Sequence, residues 1–406
     1  MITDQSHQLE RAKGTTSRWR KGLKRHRDGR RHARVLYNML VQGQGWKCSC
    51  RNKHTVCFRL DSNTMNIQQG TDQASKNRFL MMLSAAKKSP HPTSQWHEVE
   101  FLPEIIEKTV PVHLEQTSQQ SLMSASEGRR RVQFATDSTT VCVEAVNPAL
   151  GHFGSINDLC ATLECFNNES LLYSRNPVGY ISSQTSDVRF HVRHLKNIGH
   201  NLNLRSLQDM LAGSNQLSVP ASHSEQLSRR NRLYLAATLA CGVLQLHGNW
   251  LKQRWGTKDI VFVHDLPSDA IMFDHPYLLW QAATSHLHDN STEFPSPNAI
   301  QNEILLPLAV ALTELSLGKT IAALYTTDDQ ADSELQVHFN TATRTLRRVY
   351  CESGSNYGDV VKECLYWSRN KGERFEDPQF DESVFETVVS PLLKDFDYFE
   401  GISQAR

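Results

Sequence analysis

The clearest pattern of apolar and polar positions covers residues 229–246, where apolar side chains recur at helical spacing over about five turns. A polar loop follows, and residues 259–263 then have the composition of a short buried strand. A second apolar helix is predicted over residues 303–317, with Pro307 in its first turn or at a kink. These patterns predict a helix, a loop, a strand and a further helix in the C-terminal half of the chain.

Shorter patterns predict the other elements. Alternation around a polar turn at residues 51–53 predicts a β-hairpin over residues 46–60, and alternation also predicts a strand at 96–102. A second hairpin is predicted over residues 178–192. Helices are predicted over residues 155–163, 333–350, 356–368 and 381–399.

Two segments lack apolar periodicity and divide the chain. Residues 1–17 are polar and are expected to be disordered, and residues 115–131 are rich in Ser and Gln, which is typical of a flexible linker. The linker separates a basic and cysteine-rich region, residues 18–114, from the remainder. A polar loop before residue 229 sets off a helical region that we begin at residue 206.

Composition limits the classes of protein. The 406 residues carry a net charge of +1, which gives no overall attraction to nucleic acid. No stretch of about 18 apolar residues and no apolar signal core is present, so an intracellular protein, cytoplasmic or nuclear, is expected. The nine cysteines are scattered and odd in number, which favours reduced thiols over a disulfide framework.

The segment Arg18 to Arg34 is strongly basic, with Asp28 as its one acidic residue. It continues into the apolar residues 35–40, which predicts one helix that begins basic and ends apolar. Nuclear import, or binding of nucleic acid or another polyanion, is one interpretation. A solvated helix whose last turns contact the next element is preferred, because charge runs of this length are common on exposed helices.

Four side chains of the first predicted hairpin are metal-ligand types: Cys48, Cys50, His54 and Cys57. Their spacing, C-x-C-x3-H-x2-C, differs from the usual paired zinc knuckles, and one small hairpin would have to supply every ligand. A packed hairpin without metal is therefore preferred, and no cofactor is expected. Cys160 falls on the apolar face of a predicted helix, where a thiol serves as a small hydrophobic group.

Several motifs together carry a family resemblance. They are W-x-C-x-C from Trp46, S-L-x-D-x-L from Ser206, R-x-R-L-x-L-A-x-T-L-A-x-x-x-L-Q-L-H from Arg230, W-x-x-x-D-I-x-F from Trp255, T-E-L-S-x-G-K from Thr313 and V-V-x-P-L from Val388. This combination is similar to a fungal family of unknown function whose members look like degenerate protein kinases and often follow a HeLo or prion-inhibition-and-propagation helical domain. With under about 40 residues before the hairpin, a complete domain of that kind is not expected here.

The resemblance implies an α+β, degenerate protein-kinase-like fold. It has a reduced, β-containing N-lobe over residues 132–205 and a mainly α-helical C-lobe over residues 206–406. The positions that define the motifs are His247, Trp255, Asp259, Glu314 and Gly318.

The residues of kinase chemistry do not follow the resemblance. When the apolar strand is aligned, Asp259 takes the position of the metal-binding Asn and Arg254 that of the catalytic Asp, and an arginine cannot act as the base. No glycine-rich phosphate loop is present. His26-Arg27-Asp28 and Asp395-Phe396-Asp397 imitate kinase motifs, but neither stands at the required place in the order.

Two functions remain. The preferred one is a non-catalytic, pseudokinase-like interaction or scaffold protein for an unidentified protein partner, with fungal signalling or nonself recognition as its suggested setting. The alternative is an atypical nucleotide-binding protein or phosphotransferase, in which Asp259 holds magnesium and Lys252 or Lys258 contacts phosphate of Mg-ATP.

Overall fold

The computed structural model describes residues 2–41, 45–60, 77–86, 94–106, 154–167, 177–183, 185–200, 202–213, 227–265, 270–281, 303–367 and 377–401. The predicted linker at 115–131 lies outside these residues. Residues 130–134 and 141–143, whose composition also predicts strands, lie outside them as well. The described part combines helices with an antiparallel sheet.

One nine-stranded sheet contains every named strand. The strands are β1 Thr55–Arg59, β2 Phe79–Ala86, β3 Ser94–Ile105, β4 Gly179–Ser182, β5 Val188–Gly199, β6 Asn203–Ser206, β7 Ile260–Asp265, β8 Ala270–Ile271 and β9 Tyr277–Gln281. Their order is β4-β5-β3-β2-β1-β9-β7-β6, with β8 paired to β7, and the pairs are antiparallel.

The sheet joins parts of the chain that the sequence analysis separated. Strand β3 pairs with β5 across the predicted linker, and β1 pairs with β9, more than 200 positions later. The β structure is therefore larger than a reduced lobe over residues 132–205. Strand pairing between distant segments leaves no local signal in composition, which is why the linker suggested a division here.

The first predicted hairpin does not form. Only β1 of residues 46–60 is a strand, and residues 45–53 form turns that include a short 3-10 helix, Arg51–Lys53. Strand β1 instead pairs with β2 on one side and β9 on the other. The alternation in residues 46–50 therefore belongs to turns and not to a strand.

Ten α-helices complete the described part of the chain. They are α1 Ile2–Val41, α2 Leu159–Glu164, α3 Leu207–Gly213, α4 Arg229–Leu246, α5 Leu306–Leu317, α6 Ile321–Leu324, α7 Glu334–Ser353, α8 Ser355–Leu365, α9 Pro378–Val384 and α10 Ser390–Phe399. A π-helical turn, Phe385–Val389, connects the last two. Helix α1 begins at Ile2, within the stretch expected to be disordered, and α4 confirms the strongest predicted element.

Helix α4 is the central helix of the core. Ser228 caps its start, and every residue from Tyr234 to Leu246 is buried. Helices α1, α5 and α10 pack around it. Because α4 is enclosed by helices, its apolar positions extend beyond a single stripe.

The basic helix α1 packs against α4 over more of its length than its last turns. Arg30 donates to the backbone oxygen of Leu244 at 2.6 and 2.8 Å, and the fully buried His26 lies 2.9 Å from the Gln245 amide nitrogen. Burial, then the charges of Arg30 and Arg25, lowers the pKa of His26 to about 3, so the ring is neutral.

The guanidinium groups of α1 also pair with α9. Arg30 lies 2.8 Å and Arg27 3.2 Å from the carboxylate of Asp381, which is 4% exposed. Part of the positive charge of α1 is thus compensated inside the fold. Among the described residues, no helix is long and apolar enough to span a membrane.

Candidate metal centre and the loop around Asp259

Four potential metal ligands converge beside the start of β1: Cys48, Cys50, His54 and Cys160. One ligand atom from each lies within 4.8 Å of the other three. His54 and Cys160 are buried, while Cys48 and Cys50 are partly exposed. This group is called the Cys48–Cys160 cluster below.

Local hydrogen bonds position the first three ligands. The Lys53 amide donates to the Cys50 carbonyl at 2.8 Å, which closes the 3-10 turn between Cys50 and His54. Cys48 and Cys50 thereby face the same side as His54 without forming a strand. The alternation of residues 46–50 is produced by this turn, and a β-hairpin is not needed to explain it.

The fourth ligand comes from α2. The carboxylate of Asp158 caps this helix by accepting the Cys160 amide at 3.1 Å, which places Cys160 in its first turn. The Leu159 amide donates to the carbonyl of Gly45 at 2.9 Å and ties the helix to the ligand-bearing turn. The position of Cys160 is therefore set by backbone contacts around the cluster.

The imidazole of His54 is oriented by a backbone group. Its Nδ1 lies 2.6 Å from the carbonyl oxygen of Ser84, so Nδ1 carries the proton and donates it. The Nε2 lone pair then points at the sulfurs of Cys48 and Cys50, at 3.1 and 3.5 Å. Trp46 stacks on the ring with centroids 4.2 Å apart, which further restricts its rotation.

When no metal ion is bound, burial is the main influence on the protonation of these groups. It raises the pKa of the Cys48 thiol to about 11 and also raises the pKa of Cys160, so both are protonated at neutral pH. Burial lowers the pKa of His54, which keeps its ring neutral. A divalent cation would reverse this balance for the thiols, because a coordinating thiol is deprotonated.

The structure replaces one of the four candidate ligands that the sequence suggested. Cys57 lies within β1 and is fully buried on the opposite face of the sheet, against Met82, Val261 and Tyr277. Cys160 takes its place, 110 positions after Cys50. The sequence contains the capping residue that positions Cys160, but no spacing rule connects it with the W-x-C-x-C segment.

The second candidate site is the loop 247–259 between α4 and β7. The carboxylate of Asp259 accepts the Gly256 amide at 2.9 Å, and the Asp259 amide donates to the Gly256 carbonyl at 2.9 Å. Burial raises the pKa of this carboxyl, while the Gly256 amide and the charges of Lys252 and Lys258 lower it. Both lysines thus act electrostatically on Asp259; Arg254, at the aligned base position, is exposed.

Glu314 of α5 holds the same loop from the other side. It accepts the Thr257 hydroxyl at 2.8 Å and the Ile321 amide at 2.6 Å. Burial raises the pKa of Glu314 to about 7, although both hydrogen bonds oppose the shift. Its donors are a hydroxyl and a backbone amide, and neither carries a charge that would keep the carboxyl ionised.

The other motif positions lie at helix ends or in the core. His247 ends α4 and bridges to Leu251, and Trp255 is 5% exposed in the main core. Gly318 ends α5 with a φ of 62°, a left-handed conformation that favours glycine. The kinase-like string at 395–397 lies in α10, where Asn356 donates to the Asp395 carboxylate.

Comparison with curated proteins gives no match. A family model described as a domain of unknown function, DUF7580, matches residues 24–399, which include both candidate sites. The chain therefore belongs to the DUF7580 family.

Proposed function

We propose that this protein is a non-catalytic interaction or scaffold protein with a degenerate protein-kinase-like fold. The observation that carries the proposal is the position of the Asp259 carboxylate, which accepts the amide of Gly256 in its own turn. This carboxylate therefore has a structural partner that closes the turn, which accounts for an acidic residue at this position without a metal.

The order of elements supports the kinase-like part of the proposal. Helix α4, the loop 247–259, strand β7 and the later helices follow one another as the long helix, catalytic loop, strand and helical region of a kinase C-lobe do. A sheet precedes α4 along the chain, although it also includes β7 and β9.

The chemistry of the loop supports a non-catalytic role. Phosphoryl transfer depends on positioning and on stabilising charge, so a site without base, metal ligand and phosphate-binding lysine keeps little activity. Arg254 stands where the base is needed, and Glu314 anchors the loop through Thr257. Glu314 and Thr257 thereby stabilise the fold, which then presents its surface to a protein partner.

A thermal-shift titration of the full chain with ATP, with and without magnesium, tests the proposal against the nucleotide-binding alternative. Ligand at about 100 times its Kd stabilises a protein by about 2.7 kcal/mol, which moves the melting midpoint measurably. We expect no magnesium-dependent shift up to millimolar ATP. A partner that copurifies at fixed stoichiometry with both wild type and Asp259→Asn would support the interaction role.

The nucleotide-binding alternative predicts the opposite result. A magnesium-dependent shift that disappears in Asp259→Asn, Lys252→Ala or Lys258→Ala would overturn the non-catalytic proposal. Lys362→Ala, on α8, is the matched control, because it removes one lysine from a helix outside the loop.

A further inference from the structure

The Cys48–Cys160 cluster has the donor set of a structural zinc centre. Three cysteine sulfurs and one imidazole nitrogen form a Cys3His set, which is common among structural zinc sites. All four ligands come from the protein, and a closed tetrahedral site leaves no position for substrate.

The distances between the ligand atoms agree with tetrahedral coordination. With zinc–sulfur bonds of about 2.3 Å and zinc–nitrogen bonds of about 2.0 to 2.1 Å, neighbouring sulfurs lie about 3.8 Å apart, and sulfur and nitrogen about 3.6 Å apart. The sulfurs of Cys50 and Cys160 are 3.7 Å apart, and Cys50 Sγ is 3.5 Å from His54 Nε2. Cys48 Sγ, at 3.1 Å from the same nitrogen, needs to move outward by about half an ångström.

The surroundings of His54 provide a second, independent observation. Zinc-bound histidines usually donate their remaining ring N–H to a carboxylate, a backbone carbonyl or water. The contact between His54 Nδ1 and the Ser84 carbonyl, at 2.6 Å, has this arrangement and directs Nε2 into the cluster. Ser84 also accepts the Thr55 amide through its hydroxyl at 2.6 Å, which fixes the strand that supplies the carbonyl.

The charges beside the cluster suit thiolate ligands. Lys47, Arg51 and Lys53 flank Cys48 and Cys50 on an exposed turn. Three thiolates and one Zn²⁺ leave a net charge of about −1, which nearby cations stabilise. The partial exposure of Cys48 and Cys50 also gives an ion a route into the cluster.

A disulfide between Cys50 and Cys160 is the main competing interpretation. It would shorten their separation from 3.7 Å to about 2.0 Å and would leave Cys48 and the oriented His54 without a role. A metal uses all four groups at nearly their present positions.

We propose that Cys48, Cys50, His54 and Cys160 bind one Zn²⁺ ion in a closed, structural site. The ion joins the turn before β1 to helix α2, which lies far away in sequence and contacts that turn through Leu159. As each thiol binds, its proton passes to solvent, and the zinc–sulfur bond forms without any change of oxidation state. The proposal does not depend on whether the protein binds a nucleotide.

Metal analysis of the full chain, combined with cobalt substitution, tests the proposal. The protein is purified under reducing conditions, its zinc content is measured, and the metal-free form is titrated with Co²⁺ and then with Zn²⁺. We expect one equivalent of zinc, intense visible bands of tetrahedral Co²⁺ with a thiolate charge-transfer band, and loss of these bands when Zn²⁺ displaces cobalt.

Matched alanine variants identify the ligands. We expect Cys160→Ala to weaken cobalt binding by about 100-fold or more, since losing an outer partner of a ligand alone costs about 10 to 100-fold. Cys57→Ala removes the thiol expected from sequence, and Cys165→Ala removes an exposed thiol next to α2; both are expected to bind Co²⁺ like the wild type.

His54→Cys keeps the proposal testable if Cys160→Ala does not fold. It converts the site to four thiolates, so the cobalt spectrum should shift while one equivalent remains bound. Folded wild type that gives no tetrahedral cobalt spectrum, a Cys50–Cys160 disulfide in protein purified without reductant, or loss of binding in Cys57→Ala with binding retained in Cys160→Ala would each overturn the proposal.

Discussion

The Cys48–Cys160 cluster and the loop around Asp259 both collect polar side chains in a partly buried place, but their polar atoms have different partners. Asp259 and Glu314 accept hydrogen bonds from Gly256, Thr257 and Ile321, so their oxygens stabilise the local backbone. In the cluster, sulfur and nitrogen atoms face one another.

This difference separates two kinds of polar site. A carboxylate that accepts backbone and hydroxyl donors has a structural role without any metal. Soft ligands that face one another gain a common partner when an ion enters. The resemblance to kinases points to Asp259 as a metal ligand. The donor atoms around Cys160, however, are better arranged to bind a metal ion.

The largest expected effect tests the structural role of Glu314. Glu314→Ala leaves the Thr257 hydroxyl and the Ile321 amide without their buried acceptor, and we expect it to lower the free energy of unfolding by about 3 to 4 kcal/mol. Urea denaturation of the full chain measures the loss. Glu303→Ala, at an exposed position before α5, is the control and should change little. A loss below about 1 kcal/mol would show that Glu314 does not hold the loop.

A lower pH should increase the stability that Glu314 contributes and weaken zinc binding at the Cys48–Cys160 cluster. The pKa of Glu314 is raised from 4.5 to about 7, so the folded state binds its proton more tightly than the unfolded state. Its contribution to stability is then complete below about pH 4.5 and declines by up to about 3 kcal/mol as the pH rises through 7. Zinc binding requires deprotonated thiols and therefore weakens as the pH falls.

Denaturation between about pH 5 and pH 8 separates these effects. The stability difference between wild type and Glu314→Gln should be larger at the acidic end, and zinc-dependent stabilisation should be larger at the basic end. The same pH dependence for both would contradict the contrast between the two regions.

The smallest expected effect concerns Asp259. Asp259→Ala removes the acceptor of the Gly256 amide and should cost about 1 kcal/mol, the usual loss for a capping interaction. The melting temperature and ATP binding should be measured on the same preparation, with Asp328→Ala, an exposed acid, as the control. Unchanged melting together with lost nucleotide binding would support a ligand role for Asp259.

Local patterns predicted many individual elements. Helix α4 and strand β7 occur where periodicity placed them, and α5 begins with Pro307 in its first turn. These elements carry their signal in consecutive residues. Residues 46–50 were predicted as a strand because alternation over a few residues does not distinguish a turn from a strand, whereas the predicted turn at residues 51–53 is present.

The basic segment shows a similar limit. Its charge suggested an exposed helix that contacts the fold only at its end, whereas Arg30 reaches the Leu244 carbonyl and Asp381 inside the structure. Charge content does not reveal which arginine has a buried partner, since that partner comes from another part of the chain.

The sequence by itself determined the positions of helices α4, α5 and α7, the departure from kinase catalytic motifs, and three of the four potential ligands in the cluster: Cys48, Cys50 and His54. Only the tertiary structure decided that Cys160 joins them and that Cys57 faces the other side of the sheet. The physical reason is strand and helix geometry: β1 alternates its side chains between two faces, while the Asp158 cap and the contact between Leu159 and Gly45 bring α2 to the turn.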